Sequence, residues 1–267
     1  MRGTRSAVLS RSGVVLAAVV ALLTAFAVPA SAATAVRYVA LGDSYASGVG
    51  AGGETGSCLR STHAYPALWA AAHAPASFTF AACSGATTST VINSQLGALD
   101  SSTTLVSVTV GGNDVGFSSI MSTCVLDGTA QCVAAVSAAE GQAQSVLPGR
   151  LDATYGQIRS RAPSARVVVT DYPVFYDLSV WWCLGLSSTS RSKIDEGIGI
   201  LDGVLSAAAA RSGFSFADVR GNFGRHEICD SSSWLHSLNI LDLTESYHPT
   251  ANGQQYGYLP AFSTKAG

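Results

Sequence analysis

Ser44 is the first residue of the chain with clear potential as a nucleophile. It lies in the tetrapeptide GDSY of residues 42–45, directly after a β-prone run. A serine hydroxyl becomes a useful nucleophile when a neighbouring base takes its proton. A turn serine that hydrogen-bonds its own backbone explains the same tetrapeptide. The tetrapeptide alone therefore leaves both interpretations open.

His248 has the surroundings expected of such a base. A carboxylate, Glu245, precedes it by three residues, and Pro249 constrains the chain after it. The remaining histidines lack such neighbours and are expected to be surface or structural residues: His63, His73, His226 and His236. His248 is therefore the candidate general base.

Two further turns hold groups that can stabilise a developing negative charge. Asn113 lies in GGND, residues 111–114, and its side-chain amide is a hydrogen-bond donor. Gly85 lacks a Cβ, so its N–H can be approached by a substrate oxygen. Preorganised donors of this kind stabilise the oxyanion of acyl transfer. Tight turns that need unusual backbone angles explain both positions equally well.

These candidates follow β-prone segments of the chain. Runs rich in β-branched or aromatic residues predict strands at residues 36–41, 78–82, 105–110, 166–170 and 214–219. Helical spacing predicts helices at 63–73, across 130–160 with a break near Pro148-Gly149, at 190–211, and after Pro249 with Thr250 as the cap.

Short apolar strands that alternate with helices predict an α/β fold with a mostly parallel sheet covered on both faces. Ligands of such open sheets bind outside the carboxyl ends of the strands. Ser44, Gly85 and Asn113 each follow a predicted strand at that edge. The sequence therefore predicts that three loops converge on one site.

Taken in order, these blocks resemble the SGNH (GDSL) hydrolase family. They are GDSY at 42–45, Gly85, GGND at 111–114 and His248-Pro249, spread over essentially the whole predicted mature chain. Within the family, the chain is most similar to secreted streptomycete lipases and phospholipases. The resemblance implies a three-layer α/β/α, flavodoxin-like fold with a five-stranded sheet. The ordinary α/β-hydrolase pattern, Gly-x-Ser-x-Gly in mid-chain, fits less well, because Ala46 replaces its second glycine and Ser44 follows the first strand.

The resemblance also implies a role for each residue. Ser44 is the expected nucleophile, and His248 is the base that later protonates the leaving alcohol. The N–H groups of Ser44 and Gly85 and the side chain of Asn113 are the expected oxyanion donors. Relatives often carry Asp three residues before the histidine, where this chain has Glu245. Glu245 and the main-chain oxygen of Ser246 are both candidates for orienting His248; we favour Ser246, which makes the site a Ser44–His248 dyad.

All 6 cysteines follow the predicted leader. An even number of cysteines in an exported protein predicts disulfides, and the C-x-x-C spacing of a metal site does not occur. The resemblance, together with neighbour order, implies the pairs Cys58–Cys83, Cys124–Cys132 and Cys183–Cys229. No metal and no cofactor is expected, since the glycine-rich stretch 48–56 also lacks the Gly-Lys-Ser/Thr ending of a phosphate-binding loop.

The first residues predict a secretory signal peptide. Three arginines precede an apolar run at residues 13–28, which is followed by the cleavage pattern Ala30-Ser31-Ala32. The run is shorter than the ~20 apolar residues of a spanning helix, so no stable membrane anchor is expected. We predict a signal peptide at residues 1–32 and a single extracellular hydrolase domain at residues 33–267.

The charge of the predicted mature chain argues against a nucleic-acid partner. Three of the 15 lysines and arginines lie in the leader, so 12 basic residues remain against 17 acidic ones, a formal charge of −5. Phosphate binding requires a basic face. The expected partner of this chain, taken as a monomer, is a small-molecule or lipid ester.

The predicted function is a secreted serine lipase or esterase, with phospholipase A as a variant of the same chemistry. Five aromatic residues in the stretch 171–186 suggest an apolar wall for an acyl chain, although they equally fit a loop anchor: Tyr172, Phe175, Tyr176, Trp181 and Trp182. Two alternatives stay open, a polysaccharide acetylesterase and a non-catalytic exported binding module. The presence of Ser44, Asn113 and His248 argues against the second.

Overall fold

The computed structural model describes Met1, Gly3, Thr4 and residues 35–267. The predicted signal peptide and its cleavage site at Ala32 lie outside the described residues, apart from those first three positions. Among the helices of residues 35–267, none is both long and apolar enough to span a bilayer.

A parallel sheet with strand order β2-β1-β3-β4-β5 forms the centre of the described region. Its strands are β1 Arg37–Gly42, β2 Ser77–Phe80, β3 Leu105–Thr109, β4 Arg166–Thr170 and β5 Ser215–Ala217. Every residue of β3 is buried, as expected where helices cover both faces of a sheet. The predicted five-stranded α/β fold is confirmed, and the strand order is the flavodoxin-like one.

Helices pack on the sheet in two groups. α2 and α9 contact each other, and α9 also contacts β4 and β5, whereas α4, α5, α6 and α7 pack together in the second group. The helices of the described region are α1 Ser44–Ser47, α2 Tyr65–His73, α3 Thr88–Thr90, α4 Phe117–Leu126, α5 Thr129–Ser145, α6 Leu147–Arg161, α7 Ser188–Arg211, α8 Arg220–Phe223 and α9 Leu259–Ala266. Residues Val91–Gln95 and Gly253–Tyr258 form π-helical turns, and Leu96–Ala98 and Asn113–Val115 form 3₁₀ turns.

Several boundaries differ from the sequence-based expectation. The helical region 130–160 breaks at Val146, just before the expected Pro148-Gly149, because proline is tolerated in the first turn of a helix and here lies in the first turn of α6. The helix α4 was missed. After Pro249, the Thr250 hydroxyl accepts from Gly253 N (3.2 Å), the expected cap.

The strand order places β1 and β3 side by side, with Gly42 opposite Thr109 in the register. Connections from these two strands leave in opposite directions along the sheet, which opens a crevice at their carboxyl ends. The residues after β1 and β3 include Ser44 and Asn113. The topology therefore brings these two loops to one crevice.

Candidate active site

A glycine turn sets the position of Ser44. Gly42 has a φ of 130°, and a Cβ there would collide with the backbone of Thr109 on the neighbouring strand. Asp43 N donates to Thr109 O (2.9 Å), which holds the turn over the end of β3. The Asp43 carboxylate then caps α1 by accepting from Tyr45 N (3.0 Å). Ser44 thus begins a helix directly beyond the sheet edge.

His248 reaches Ser44 from the opposite end of the chain. Its Nε2 lies 2.8 Å from Ser44 Oγ, and its Nδ1 lies 3.1 Å from the main-chain oxygen of Ser246. An Nδ1–H that donates to this carbonyl leaves Nε2 unprotonated and able to accept from the serine hydroxyl. The pair therefore has the hydrogen-bond geometry of a nucleophile and its base.

The backbone that carries His248 is held in an uncommon conformation. Tyr247 has a φ of 64°, which a bulky residue adopts only when its surroundings enforce it. The Tyr45 hydroxyl donates to Tyr247 O (2.6 Å), and the Tyr247 ring stacks on Phe175 at 5.8 Å. Tyr45, which follows Ser44, thus holds Tyr247, which precedes His248, in this conformation.

The carboxylate of Glu245 turns away from His248. Its Oε1 accepts from Asn239 Nδ2 (2.6 Å) and lies 3.7 Å from His236 Nδ1. His236 is itself held by Gly50 O, 2.8 Å from its Nε2. Of the two candidates for orienting His248, the main-chain oxygen of Ser246 is the one in hydrogen-bond contact with it.

The three expected oxyanion donors face the same cleft as His248. Ser44 begins α1, so its N–H has no carbonyl partner within the helix. Gly85 is exposed, with a φ of 77° and open space where a Cβ would lie. Asn113 Nδ2 uses one hydrogen to bind Ala86 O (3.1 Å), which leaves its second hydrogen for a ligand.

A side-chain contact links the nucleophile turn to the Asn113 loop. Tyr172, just after β4, donates its hydroxyl to Asp43 Oδ2 (2.6 Å) and accepts from Gly112 N (3.0 Å). All three residues are buried. Burial raises the pKa of Asp43 to about 7, while the hydrogen bonds from Tyr172 and Tyr45 oppose that rise.

Burial also changes the acidity of His248. Removal of the imidazolium from water lowers its pKa from 6.5 to about 4, and the Ser246 carbonyl opposes the shift by accepting from the ring. The residue as a whole is half-buried and lines the cleft. His248 is therefore neutral, and able to accept a proton, at neutral pH.

An open cleft of about 350 Å³ leads to Ser44. One wall is apolar and comes from α4 and the segment before His248: Phe117, Met121, Val125, Leu126, Leu238 and Leu243. Tyr172 and Phe175 line a smaller pocket beneath Ser44. Trp181 and Trp182 are exposed and do not line the cleft, so of the two interpretations of the aromatic stretch, the apolar wall does not apply to these two residues. In the sequence, the apolar residues of the segment that forms α4 were the feature that could have indicated this wall.

Two buried carboxylates and an arginine lie together near the end of β4. Asp171 and Asp202 are buried, and Arg220 Nε lies 3.7 and 3.8 Å from their oxygens. Burial raises the pKa of Asp171 to about 7. Arg220 Nε is thus within ion-pair distance of both carboxylates, while the rest of its guanidinium binds Asp218 nearer the surface. Across residues 35–267, no set of three His, Cys, Asp or Glu side chains is arranged to hold a metal ion.

Comparison with known proteins gives the family. The model of the GDSL-like lipase/acylhydrolase family matches residues 40–256, which include Ser44, Gly85, Asn113 and His248. The chain belongs to this family. It is therefore a carboxylic ester hydrolase of the lipase/esterase type, and the expected resemblance is confirmed.

Several family members from Streptomyces are close relatives of this chain. It is 52% identical to Lipase 1 of Streptomyces coelicolor over 96% of both chains. It is 53% identical to the solved phospholipase A1 of Streptomyces albidoflavus, with a TM-score of 0.85 over 87% of this chain and 100% of that one. The solved extracellular lipase of Streptomyces rimosus is 49% identical, with a TM-score of 0.84 over 86% of this chain and 100% of that one.

Three disulfides lie in the described part of this family member. They join Cys58 to Cys83, Cys124 to Cys132 and Cys183 to Cys229, the pairs that the resemblance implies. The first also shapes the site, because Ser84 N donates to Cys58 O (3.0 Å) beside Gly85. Disulfides are typical of proteins in oxidising compartments.

Sequence reasoning did not predict the contacts that four residues make at this GDSL-like site. Tyr45 and Tyr247 hold the histidine turn, Tyr172 ties Asp43 to Gly112, and His236 sits beside Glu245. Tyr45 belongs to the GDSY block and Tyr172 to the aromatic stretch, but neither pattern predicts which partner a tyrosine hydroxyl binds. Tyr45 and Tyr247 do directly follow or precede a candidate catalytic residue, which is the one signal available from sequence.

Proposed function

We propose that this chain is a secreted lipase or esterase that cleaves fatty-acyl esters through an acyl-enzyme on Ser44. The observation that carries the proposal is the 2.8 Å contact between His248 Nε2 and Ser44 Oγ at the end of an apolar cleft. The disulfides, and the extracellular lipase among its close relatives, support secretion. The mature enzyme, residues 33–267, is proposed to act as a monomer.

In the first half-reaction, Ser44 Oγ attacks the ester carbonyl carbon while its proton passes to His248 Nε2. The carbonyl oxygen becomes an oxyanion and accepts hydrogen bonds from Ser44 N, Gly85 N and Asn113 Nδ2. When the tetrahedral intermediate collapses, the C–O bond to the alcohol breaks and His248 gives its proton to the leaving oxygen. The acyl group stays on Ser44 Oγ.

In the second half-reaction, a water molecule attacks the acyl carbon and gives a proton to His248 Nε2. The same donors bind the second oxyanion. Collapse breaks the bond to Ser44 Oγ, which recovers its proton from His248, and a carboxylic acid leaves. The carbonyl of Ser246 keeps the imidazole in one tautomer throughout, so the proposed site is a dyad and Glu245 stays outside it.

The apolar cleft favours fatty-acyl esters over the alternative substrate, an acetylated polysaccharide. The apolar wall described above lines the cleft with six side chains. Each methylene of an acyl chain that is buried against it contributes ~0.8 kcal/mol to binding. An acetyl group would use little of this wall. A phospholipid with the same acyl chains fits the cleft equally well, as the phospholipase A1 relative suggests.

Ser44→Ala tests the proposal. We expect a folded protein with kcat lowered by several orders of magnitude, because the acyl-enzyme cannot form. Ser89→Ala, an exposed serine of α3, is the control and should keep full activity. Assays on p-nitrophenyl esters of increasing chain length, with a phospholipid beside them, should show rates that rise beyond acetate. More than a tenth of wild-type kcat in Ser44→Ala, or a preference for acetate, contradicts the proposal.

A further inference from the structure

A carboxylate on α7 binds the backbone of the segment that follows β4. Asp195 Oδ1 accepts from Phe175 N (3.1 Å) and from Tyr176 N (3.3 Å). Its second oxygen, Oδ2, is buried and has no hydrogen-bond partner in the part of the chain that the structure describes. Burial raises the pKa of Asp195 to about 7, so an ionised carboxylate here lowers stability at neutral pH. The charge does not explain an aspartate at this position, whereas the two N–H groups that it binds do.

Asp202 makes a matching contact two helical turns further along α7. Its Oδ1 accepts from Tyr172 N (3.2 Å). Seven residues separate Asp195 from Asp202, so the two side chains lie on the same face of the helix. We call residues 172–176 the linking segment. The helix α7 therefore binds this segment at both of its ends.

The linking segment contacts both turns of the candidate catalytic pair. At its first residue, the Tyr172 hydroxyl donates to Asp43 Oδ2 (2.6 Å) in the nucleophile turn. At its other end, the Phe175 ring stacks on the Tyr247 ring, with centroids 5.8 Å apart and an angle of 13° between the planes. The Tyr176 ring centroid lies 6.5 Å from that of Tyr247. Because Tyr247 directly precedes the candidate base, the segment joins α7 to the histidine turn.

Tyr247 depends on these contacts, because its φ of 64° is unfavourable for a bulky side chain. Phe175 is buried, and its backbone is fixed on both sides. Asp195 accepts from its N–H, and Ile228 N donates to its carbonyl (2.7 Å). If the Phe175 ring moved, Tyr247 could relax toward an ordinary φ. The main-chain oxygen of Ser246, which accepts from the imidazole, would move with it.

We propose that Asp195 is a positioning residue that keeps His248 in hydrogen-bond reach of Ser44. It acts through the linking segment and the Tyr247 ring. The inference rests on the proposed function, because it names a residue that supports the same catalytic pair. Asp195 lines neither the cleft nor the pocket beneath Ser44, so it touches no substrate. Its loss should therefore lower kcat more than it changes KM.

Asp195→Ala removes the acceptor of both N–H groups. We expect kcat on p-nitrophenyl butyrate to fall about tenfold or more, because a small displacement of a catalytic group strongly slows the chemical step. KM should change less than about threefold, since the cleft wall on α4 is left intact. Asp195→Asn keeps an acceptor oxygen and should restore kcat to within about threefold of wild type.

Ile194→Ala is the matched control for general destabilisation of α7. Ile194 is the neighbouring residue and is buried, and it lines neither the cleft nor the pocket beneath Ser44. Its truncation leaves a cavity, so the melting temperature should fall at least as far as in Asp195→Ala. Assayed well below both melting temperatures, Ile194→Ala should nevertheless keep kcat within about twofold. An equal loss of kcat in this control, or in Asp195→Asn, would overturn the proposal.

A double-mutant cycle tests the path through Phe175. Phe175→Leu removes the stack on Tyr247 and should itself lower kcat about tenfold. In its background, Asp195→Ala should have less than about a threefold further effect, since both residues act through the same ring. Full additivity of the two losses would overturn the proposed path. If Asp195→Ala does not fold, an unchanged kcat in Phe175→Leu overturns the path equally.

A measurement without turnover separates this proposal from the proposed function. The Nδ1 proton of His248 reports its bond to Ser246 O as a downfield NMR signal, which is assigned by its loss in His248→Asn. This signal should shift or broaden in Asp195→Ala and stay unchanged in Asp195→Asn and Ile194→Ala. A wild-type protein that cleaves no ester but shows this pattern would refute the proposed function alone. An active enzyme whose Asp195→Ala variant keeps both kcat and the signal would refute the positioning role alone.

Discussion

At the scale of the residue, the Glu245 carboxylate does not contact His248, unlike a carboxylate that orients its histidine. Its side chain is one methylene longer than Asp, and its carboxylate binds Asn239 and lies near His236. The acceptor at His248 Nδ1 is a neutral carbonyl, which stabilises an imidazolium less than a carboxylate does. In the proposed mechanism, the site therefore relies on position and on oxyanion donors more than on a charge behind the base.

Glu245→Ala is expected to lower kcat less than about tenfold. The Ser246 carbonyl still holds His248, and at most ~1 kcal/mol of longer-range charge stabilisation is lost. Glu245→Gln, which can still accept from Asn239, is the control for local structure. A loss near ~10⁴-fold in either variant, measured by steady-state kinetics, would instead identify Glu245 as a third catalytic member.

The acidity of His248 predicts the acid limb of the pH–rate profile. In the proposed mechanism the neutral ring is the active base, so kcat/KM should be high above the pKa of the folded enzyme and should fall as pH drops through it. Because burial lowers this pKa from 6.5 toward 4, half of the activity should be lost between these two pH values. Circular dichroism over the same range checks that the protein stays folded. Half-loss above pH 6.5 would contradict the shift.

At the scale of the element, the ends of β1, β3 and β4 are tied by one tyrosine hydroxyl. Tyr172 follows β4, Asp43 follows β1, and Gly112 follows β3. This contact fixes the distance between the turn that carries Ser44 and the loop that carries Asn113. A second tie, from Asp114 to Thr88 N and Oγ1 (2.9 and 2.6 Å), holds the Asn113 loop to the helix that follows the Gly85 turn.

Tyr172→Phe should lower kcat by about tenfold while KM changes less than about twofold. The variant leaves the buried Asp43 Oδ2 and the buried Gly112 N–H without this hydrogen-bond partner, which costs ~1–3 kcal/mol. Part of that cost should lower stability, and part should disturb the geometry of the site. Tyr155→Phe is the matched control, because Tyr155 is buried on α6 and its hydroxyl has no hydrogen-bond partner in the structure of residues 35–267. Thermal unfolding and steady-state kinetics should separate the two variants. Equal kinetics in both would remove the positioning role from Tyr172.

At the scale of the whole molecule, the disulfides close loops of very different length. Cys124–Cys132 spans 8 residues, Cys58–Cys83 spans 25 and Cys183–Cys229 spans 46. In the chain-entropy description, a longer closed loop removes more disorder from the unfolded state. The shortest disulfide should therefore contribute least to stability.

Replacing both cysteines of one pair by alanine tests this order. Loss of Cys124–Cys132 should lower the free energy of unfolding by ~2.5 kcal/mol, against ~3.5 kcal/mol for Cys58–Cys83. Urea unfolding of the two double variants measures the difference. The second variant should also lose activity, because its disulfide supports the Gly85 turn. A larger loss for the shorter loop would contradict the entropic account.

The sequence alone was sufficient for the architecture and for the motif residues. The five strands, their mostly parallel arrangement, the polar residues that follow their carboxyl ends and the four motif blocks could all be predicted. They depend on hydrophobic periodicity and turn composition, which are local properties of the sequence. The resemblance to the family rests on the same local blocks, and the family match confirmed it. Helix boundaries were less accurate where proline begins a helix, as in α6.

Tertiary structure decided the contacts that complete the site. Ser246, not Glu245, faces His248, because Asn239 and His236 hold the glutamate elsewhere. Tyr45 meets Tyr247 across 202 residues, and Tyr172 meets Asp43 across 129. Local patterns predict which face of an element is buried, but side-chain partners over such separations depend on how whole layers pack. For the same reason, the sequence left open whether the aromatic segment lines the site, whereas in the structure the apolar wall of the cleft includes residues of α4.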